Sequence, residues 1–227
     1  QIGVLRERHA GFYASMVEQL LPDTLAGRWT ADLPGWSVDT ARQVESEYDN
    51  VRSVLSWWIE SRRPEPAVRL VRRLGAFWNL QGLYVEGHRW LVDLLVLDER
   101  TPWPDGGASR VADCVEGTAA ADRAFVLDGI GMFGAHQGDY DEALARLEKS
   151  AAIWRARGDL LMLAQSLGWL SLGARLSGNP AQSLEQLEES RRLVGQCTLN
   201  TFNGRPDCFV PLVEIRQKLF FEITLQC

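Results

Sequence analysis

Gln137-Gly138-Asp139-Tyr140-Asp141-Glu142-Ala143 stands between two stretches of helical text. Before it, Phe125, Leu127, Ile130, Gly131 and Met132 recur at helical spacing. After it, Tyr140, Ala143, Leu144, Leu147, Ala151 and Trp154 keep one apolar stripe at i, i+3, i+4 and i+7. Gly138 supplies the backbone freedom that ends the first helix, and Asp139 is placed to cap the second. The stretch therefore predicts a helical hairpin.

The hairpin text recurs. Upstream, Gln81-Gly82-Leu83-Tyr84-Val85-Glu86-Gly87 has the same form, with Leu91 standing where Leu147 stands later. Downstream, Ser177-Gly178-Asn179-Pro180-Ala181 fills the slot, and Leu184, Leu187 and Ser190 match Leu144, Leu147 and Ser150. Gly138 and Gly178 are 40 residues apart. Gly82 and Gly138 are 56 apart, the excess falling on a proline- and glycine-rich insertion at Thr101–Ser109. A period in this range marks an α-solenoid, in which each hairpin buries its stripe against its neighbours. The predicted fold is all-α: antiparallel helix-hairpin repeats stacked as an α-α superhelix of about nine helices.

The three copies resemble tetratricopeptide repeats. Leu74-Gly75 and Ile130-Gly131 match that motif's apolar–Gly pair. Gly82/Tyr84/Gly87 and Gly138/Tyr140/Ala143 match its Gly, aromatic and small residue. The third copy departs, with Leu170-Ser171, Pro180 in place of the aromatic, and Ser183. The resemblance implies small residues where paired helices approach and an aromatic in the seam, so Tyr84, Tyr140, Leu91 and Leu147 are expected to be buried. The spacing exceeds the repeat's usual length and suits the longer helices of bacterial signalling proteins.

In chain order, residues 1–65 read as an N-terminal helical segment. A first helix covers 4–21, with Phe12, Met16, Val17 and Leu20 on one face and Pro22 ending it. Residues 22–38 form a loop carrying Trp29 and Trp36, and one long helix runs from Val38 to Ser61. Residues 66–196 are the repeats, with hairpins at about 66–97, 120–157 and 160–196. Residues 197–227 diverge. There Pro211, Leu212, Val213, Ile215, Leu219, Phe220 and Ile223 are compatible with a capping helix over 211–225, and equally with a frame-shifted or truncated end.

A second resemblance rests on two stretches. Glu45-Ser46-Glu47-Tyr48-Asp49-Asn50-Val51-Arg52-Ser53-Val54-Leu55-Ser56-Trp57 looks like the stretch with an E-x-x-N-(apolar)-R-x-(apolar)-(apolar)-x-W run of bacterial STAND-class signal-transduction ATPases related to LuxR-type regulators. Phe77-Trp78, Gly82 and Glu86-Gly87-His88-Arg89-Trp90-Leu91 resemble a second run of the same proteins. Arg8-His9-Ala10-Gly11-Phe12-Tyr13 resembles the helix that follows their winged helix. The resemblance implies a protein-interaction and regulatory repeat region, with the ATPase and DNA-binding parts absent from these residues. The alternative is a free-standing interaction or scaffold protein.

The chemistry of the chain is bounded by what its text lacks. No G-x-x-x-x-G-K-[ST] and no Gly-Lys pair occurs, so no nucleotide cradle is encoded here. The net charge of −6 disfavours a general nucleic-acid or membrane-surface binder, and no run of eighteen apolar residues exists. Cys114, Cys197, Cys208 and Cys227 have no zinc spacing, which fits a reducing, cytoplasmic setting. His9, His88 and His136 lie on three different helices, and Asp105, Asp113 and Glu116 of the insertion lack a base–nucleophile set. No catalytic residue, cofactor or metal is therefore expected.

Arg62, Arg63, Arg69, Arg72 and Arg73 are the one basic concentration, read as a solvated helix face or as contact with an acidic partner or the ATPase module. Trp57, Trp58, Trp78, Trp90, Trp154 and Trp169 fall in helical stripes and read as core. In tetratricopeptide solenoids the first helices of successive pairs line a concave groove. Registering on the turn glycines carries that groove onto Arg69, Arg72, Ala76 and Asn79, then Phe125, Asp128, Met132 and His136, then Gln165, Leu172 and Arg175. A protein or peptide segment is the expected partner.

Overall fold

The computed structural model describes residues 2–21, 37–100 and 118–202. Trp29, Trp36, the insertion with Asp105, Asp113 and Glu116, the segment 211–225, and Cys114, Cys208 and Cys227 lie outside them. Among the described residues there are nine α-helices and no strand. The chain divides into two compact units, Gln1–Arg110 and Val111–Cys227.

The first unit holds α1 (Ile2–Leu20), α2 (Val38–Ser46), α3 (Tyr48–Glu60), α4 (Pro64–Leu80) and α5 (Tyr84–Arg100). Helix α1 packs on α2, α3 and α4, and α3 reaches both α4 and α5. The buried line of α1 is Ala10 and Val17, continued by Leu21 just past its end, while Phe12 is 66% exposed, correcting the face expected for it. The single helix expected over 38–61 is two. Glu47 leaves the helical conformation (φ −111°, ψ 11°) and its carboxylate accepts from Asn50 Nδ2 at 2.8 Å. The break is a single residue, and α3 starts anew at Tyr48 with Asn50 N and Val51 N donating to Glu47 O. Helix α2 opens with a capping box: Thr40 N donates to Ser37 Oγ at 3.1 Å, and Ser37 N donates back to Thr40 Oγ1 at 3.0 Å.

The second unit holds α6 (Thr118–Gln137), α7 (Tyr140–Arg157), α8 (Leu160–Leu176) and α9 (Pro180–Phe202). Each packs on the next, and α6 also touches α8. Asp139 occupies the N-cap of α7 but its side chain makes no capping bond. Asp141 and Glu142 in the first turn meet the helix dipole instead.

One turn joins the helices from α3 onward in both units. Arg62, Gly82, Gly138, Gly158 and Gly178 all have positive φ, between 53° and 87°. The next residue donates back five positions in each case, as in Leu83 N to Trp78 O and Asn179 N to Ala174 O, both 2.8 Å. This is the Schellman arrangement. Arg62 to Gly82, Gly138 to Gly158 and Gly158 to Gly178 are equal steps. The structural unit is thus a single helix plus its turn, half the sequence period.

The repeat also explains its own departures. A Cβ on Gly131 would collide with Leu147 and stand 2.9 Å from the carbonyl oxygen of Ala143. One repeat later the same place is Ser171, whose hydroxyl donates to Ser183 O at 2.8 Å. A side chain that would crowd the carbonyl bonds to it instead. Ser150 Oγ to Ala124 O (2.9 Å) and Ser190 Oγ to Ala164 O (2.7 Å) are a second repeated tie between paired helices. Trp58, Trp78, Trp90 and Trp154 are core, and Trp57 and Trp169 are half-buried.

Candidate functional site

The residues registered to a groove separate by burial. Of those in the first unit, Arg69 is exposed, Asn79 half-buried and Arg72 only 7% exposed. In the second unit His136 is exposed, and Gln165, Leu172 and Arg175 are half-buried. Phe125, Asp128 and Met132 are each 0% exposed. The expectation of an open wall at Arg72, Phe125, Asp128 and Met132 is therefore corrected. The reason is visible on α6, where every residue from Ala124 to Ala135 is buried. A helix apolar all round has no open face for a register to assign.

His136, a groove-register residue, meets Trp169, a residue read as core, across α6 and α8. Their ring centroids are 6.3 Å apart, edge to face. The imidazole sits in the last turn of α6, with Nδ1 at 2.8 Å from Met132 O. Leu91 and Leu147 are fully buried as expected, whereas Tyr84 and Tyr140 are half-buried at the helix starts.

The basic concentration is divided by the fold: Arg62 and Arg69 are exposed, Arg63 and Arg73 half-buried, and Arg72 buried. Arg73 donates to Leu21 O at 2.7 Å, closing the C-terminal end of α1, and Arg63 pairs with Glu7. This corrects the reading of those positions as an open basic face.

Asp128 is a structural hub instead of a groove residue. Its Oδ2 accepts from Trp154 Nε1 of α7 at 2.8 Å, and its Oδ1 from Ser166 Oγ of α8 at 2.7 Å. Burial pushes its carboxyl up to about 7, against the opposing pull of the Ser166, Trp154 and Ser150 donors. Ser166 Oγ also lies 3.1 Å from Met162 O, so the hydroxyl has a second acceptor within reach.

In the first unit a polar tie joins α3 to α5. The Arg52 guanidinium meets Glu86 with two bonds, Nε to Oε1 at 2.7 Å and Nη2 to Oε2 at 2.6 Å. Arg52 also stacks 4.4 Å over the Tyr48 ring. Trp90 Nε1 donates to Glu86 at 3.2 Å, and Trp78 Nε1 donates to the Tyr48 hydroxyl. Hydrogen bonding to Arg52 holds the Glu86 carboxyl below its ordinary value. Burial and the Glu86 charge push the Tyr48 phenol up. The groove register leaves out this tie because Arg52 and Tyr48 lie on α3, ahead of the first hairpin, and Glu86 and Trp90 on α5, the second helix of its pair, although both stretches stand out in the sequence.

Residues 122–195 match the family model described as tetratricopeptide repeat. Helices α6 to α9 are thus a tetratricopeptide-repeat region, a fold that typically serves protein–protein interaction without catalysis. No curated protein and no solved structure matches the chain. Among the described residues, no group of His, Cys, Asp and Glu is arranged to hold a metal, and no helix is long and apolar enough to cross a membrane.

Proposed function

We propose that the chain is a non-catalytic protein-binding repeat module, and that it serves as the repeat region of a STAND-class signal-transduction ATPase or related transcriptional regulator. One observation supports the finer reading. The two stretches that resemble those proteins, around Arg52 and around Glu86, are bonded to each other through the α3–α5 tie. Motif residues far apart in sequence form one structural device, so the resemblance is more than two independent matches. Binding of a protein segment by His136, Gln165 and Arg175 of the second unit belongs to the same reading, and Arg69 and Asn79 are a separate candidate surface of the first unit. So does a cytoplasmic location.

Sequencing the coding region upstream of Gln1 tests this reading. A P-loop followed by a winged helix is expected. A start codon with its own promoter there would favour a free-standing scaffold. Nucleotide hydrolysis by the purified chain would overturn the non-catalytic reading.

A further inference from the structure

Leu184, Glu188, Arg191 and Gly195 of α9 are spaced four, three and four residues apart, which puts them in one stripe along the helix. All four are exposed, Leu184 by 58%. The buried line of α9, Ser183, Ser190, Leu193 and Cys197, lies on the opposite side, where Ser190 bonds to α8. Glu188 and Arg191 stand one turn apart, yet neither makes an ion pair among the described residues. A Cβ on Gly195 would meet nothing within 4 Å.

One repeat earlier the same stripe is Leu144, Glu148, Ala151 and Arg155 of α7. There it receives other helices: Leu144 lies against Gly173 of α8, Ala151 is buried, and Arg155 bonds to Glu189 of α9 at 3.1 Å. On α9 no described helix covers it. Leucine on glycine is how this unit brings helices together, at Gly131 as at Gly173, and α9 presents one leucine and one open glycine. The stripe is also complementary to itself. A two-fold axis midway between Glu188 and Arg191 sets each glutamate against the arginine of an antiparallel second copy. The same axis sets Leu184 against Gly195 of that copy, because the two pairs share one midpoint. Charge and shape thus select a single register. A parallel pair would set glutamate on glutamate and arginine on arginine, which like-charge repulsion disfavours.

We propose that α9 docks antiparallel on α9 of a second copy of this chain, with two Glu188–Arg191 pairs at the centre and Leu184 on Gly195 at both ends. The ion pairs fix direction and register and add little affinity, because closing the seam strips them of water. The dimer is therefore weak and reversible. It does not depend on the STAND-class reading and adds a partner to it.

Sedimentation equilibrium of the full chain tests it. The mean mass should rise with concentration from monomer toward dimer. Glu188→Arg leaves only arginines at the centre and Arg191→Glu only glutamates, so each should weaken association by about tenfold or more. Mixing the two variants should restore it as a heterodimer, since every central contact is then between opposite charges. The exchanged variant, Glu188→Arg with Arg191→Glu, should associate as the wild type does. Net charge alone predicts otherwise: from −6, Glu188→Arg moves the chain toward neutrality and would favour non-specific association. Glu45→Arg, the same charge change at an exposed site of α2, should leave the dimer unchanged. A wild type that stays monomeric at every concentration would leave the stripe to later residues of the chain or to another protein, and would overturn the proposal. So would self-association that Glu188→Arg leaves intact, or single variants that stay apart when mixed.

Discussion

Gly131 of α6 lies directly under Leu147 of α7, so closely that a single methyl on Gly131 would overlap the leucine branch point and press on the Ala143 carbonyl. Backbone cannot give way as a side-chain tip can. Gly131→Ala should therefore cost about 1–3 kcal/mol, even after the gain in helix propensity of about 1 kcal/mol. Gly173 is the contrasting case. There a Cβ meets only Leu144, its nearest atom being Cδ2 at 3.0 Å, and Leu144 is half-buried and able to turn. Gly173→Ala should stay within about 0.5 kcal/mol of wild type. Urea midpoints of the two variants check the order, and the reverse order would contradict the packing described.

Arg62 performs with a side chain what four glycines perform without one, holding φ at 53°. The left-handed region costs an L-residue about 1 kcal/mol, so Arg62→Gly should stabilise the first unit by a few tenths to about 1 kcal/mol. Gly158→Ala, at φ 70°, should destabilise the second by about 1 kcal/mol. Thermal melts of both variants measure this. A destabilised Arg62→Gly variant would mean that the arginine side chain holds the turn through a contact of its own.

These turns also show how far the text could be read. Gly82, Gly138 and Gly178 stood out because an aromatic or proline follows two residues on, and the helices fall where those signals put them. Gly158 is followed by Asp159-Leu160, without an aromatic or proline, and two residues before Pro64 the turn carries Arg62 in place of glycine, so the shorter step is hidden. The groove was less legible than the helices. On α6 the polar Asp128 looked solvent-facing by type, yet its oxygens are taken up by Trp154 and Ser166, partners 26 and 38 residues away. Sequence spacing carries no signal for such a bond. Arg72 shows the same limit: the repeat register places it on the groove wall, and the structure buries it.

The α3–α5 tie predicts a coupling that ordinary surface ion pairs lack. Arg52 meets Glu86 with two parallel bonds, and the Glu86 side chain is only 16% exposed. In a double-mutant cycle with Arg52→Met and Glu86→Gln, the interaction energy should be about 1–2 kcal/mol, above the median for exposed pairs. Because the Glu86 carboxyl is held below its ordinary value, this contribution is present above the unfolded pKa and lost as pH falls through the lower folded value. Additive variants would show the tie to be geometry without energy.

Asp128 runs the opposite way. Its folded value is about 7 and its unfolded value is the ordinary 3.8, so between these limits the native state binds more protons than the unfolded chain. Stability contributed by this group is fully present below the unfolded value and is lost as pH rises through 7, by about 1.4 kcal/mol for each pH unit of that interval at most. The protonated form has a complete set of bonds. Its O–H donates to Ser166 Oγ, whose own hydrogen turns to Met162 O, while the other oxygen still accepts from Trp154. Asn at this position reproduces that pattern with its NH₂ and carbonyl, and it does not titrate. Asp128→Asn should match wild type only near and below the unfolded value of 3.8, exceed it by a margin that grows up to about pH 7, and lack this slope. Asp128→Ala should be worse at both, since it leaves the buried Trp154 N–H without an acceptor, at about 1–3 kcal/mol. Amide hydrogen exchange in α6, α7 and α8, followed from pH 5 to 8, isolates this junction from the first unit. Parallel pH profiles for wild type and Asp128→Asn would show that the carboxylate is accommodated ionised, and that the two donors outweigh the cost of burying it.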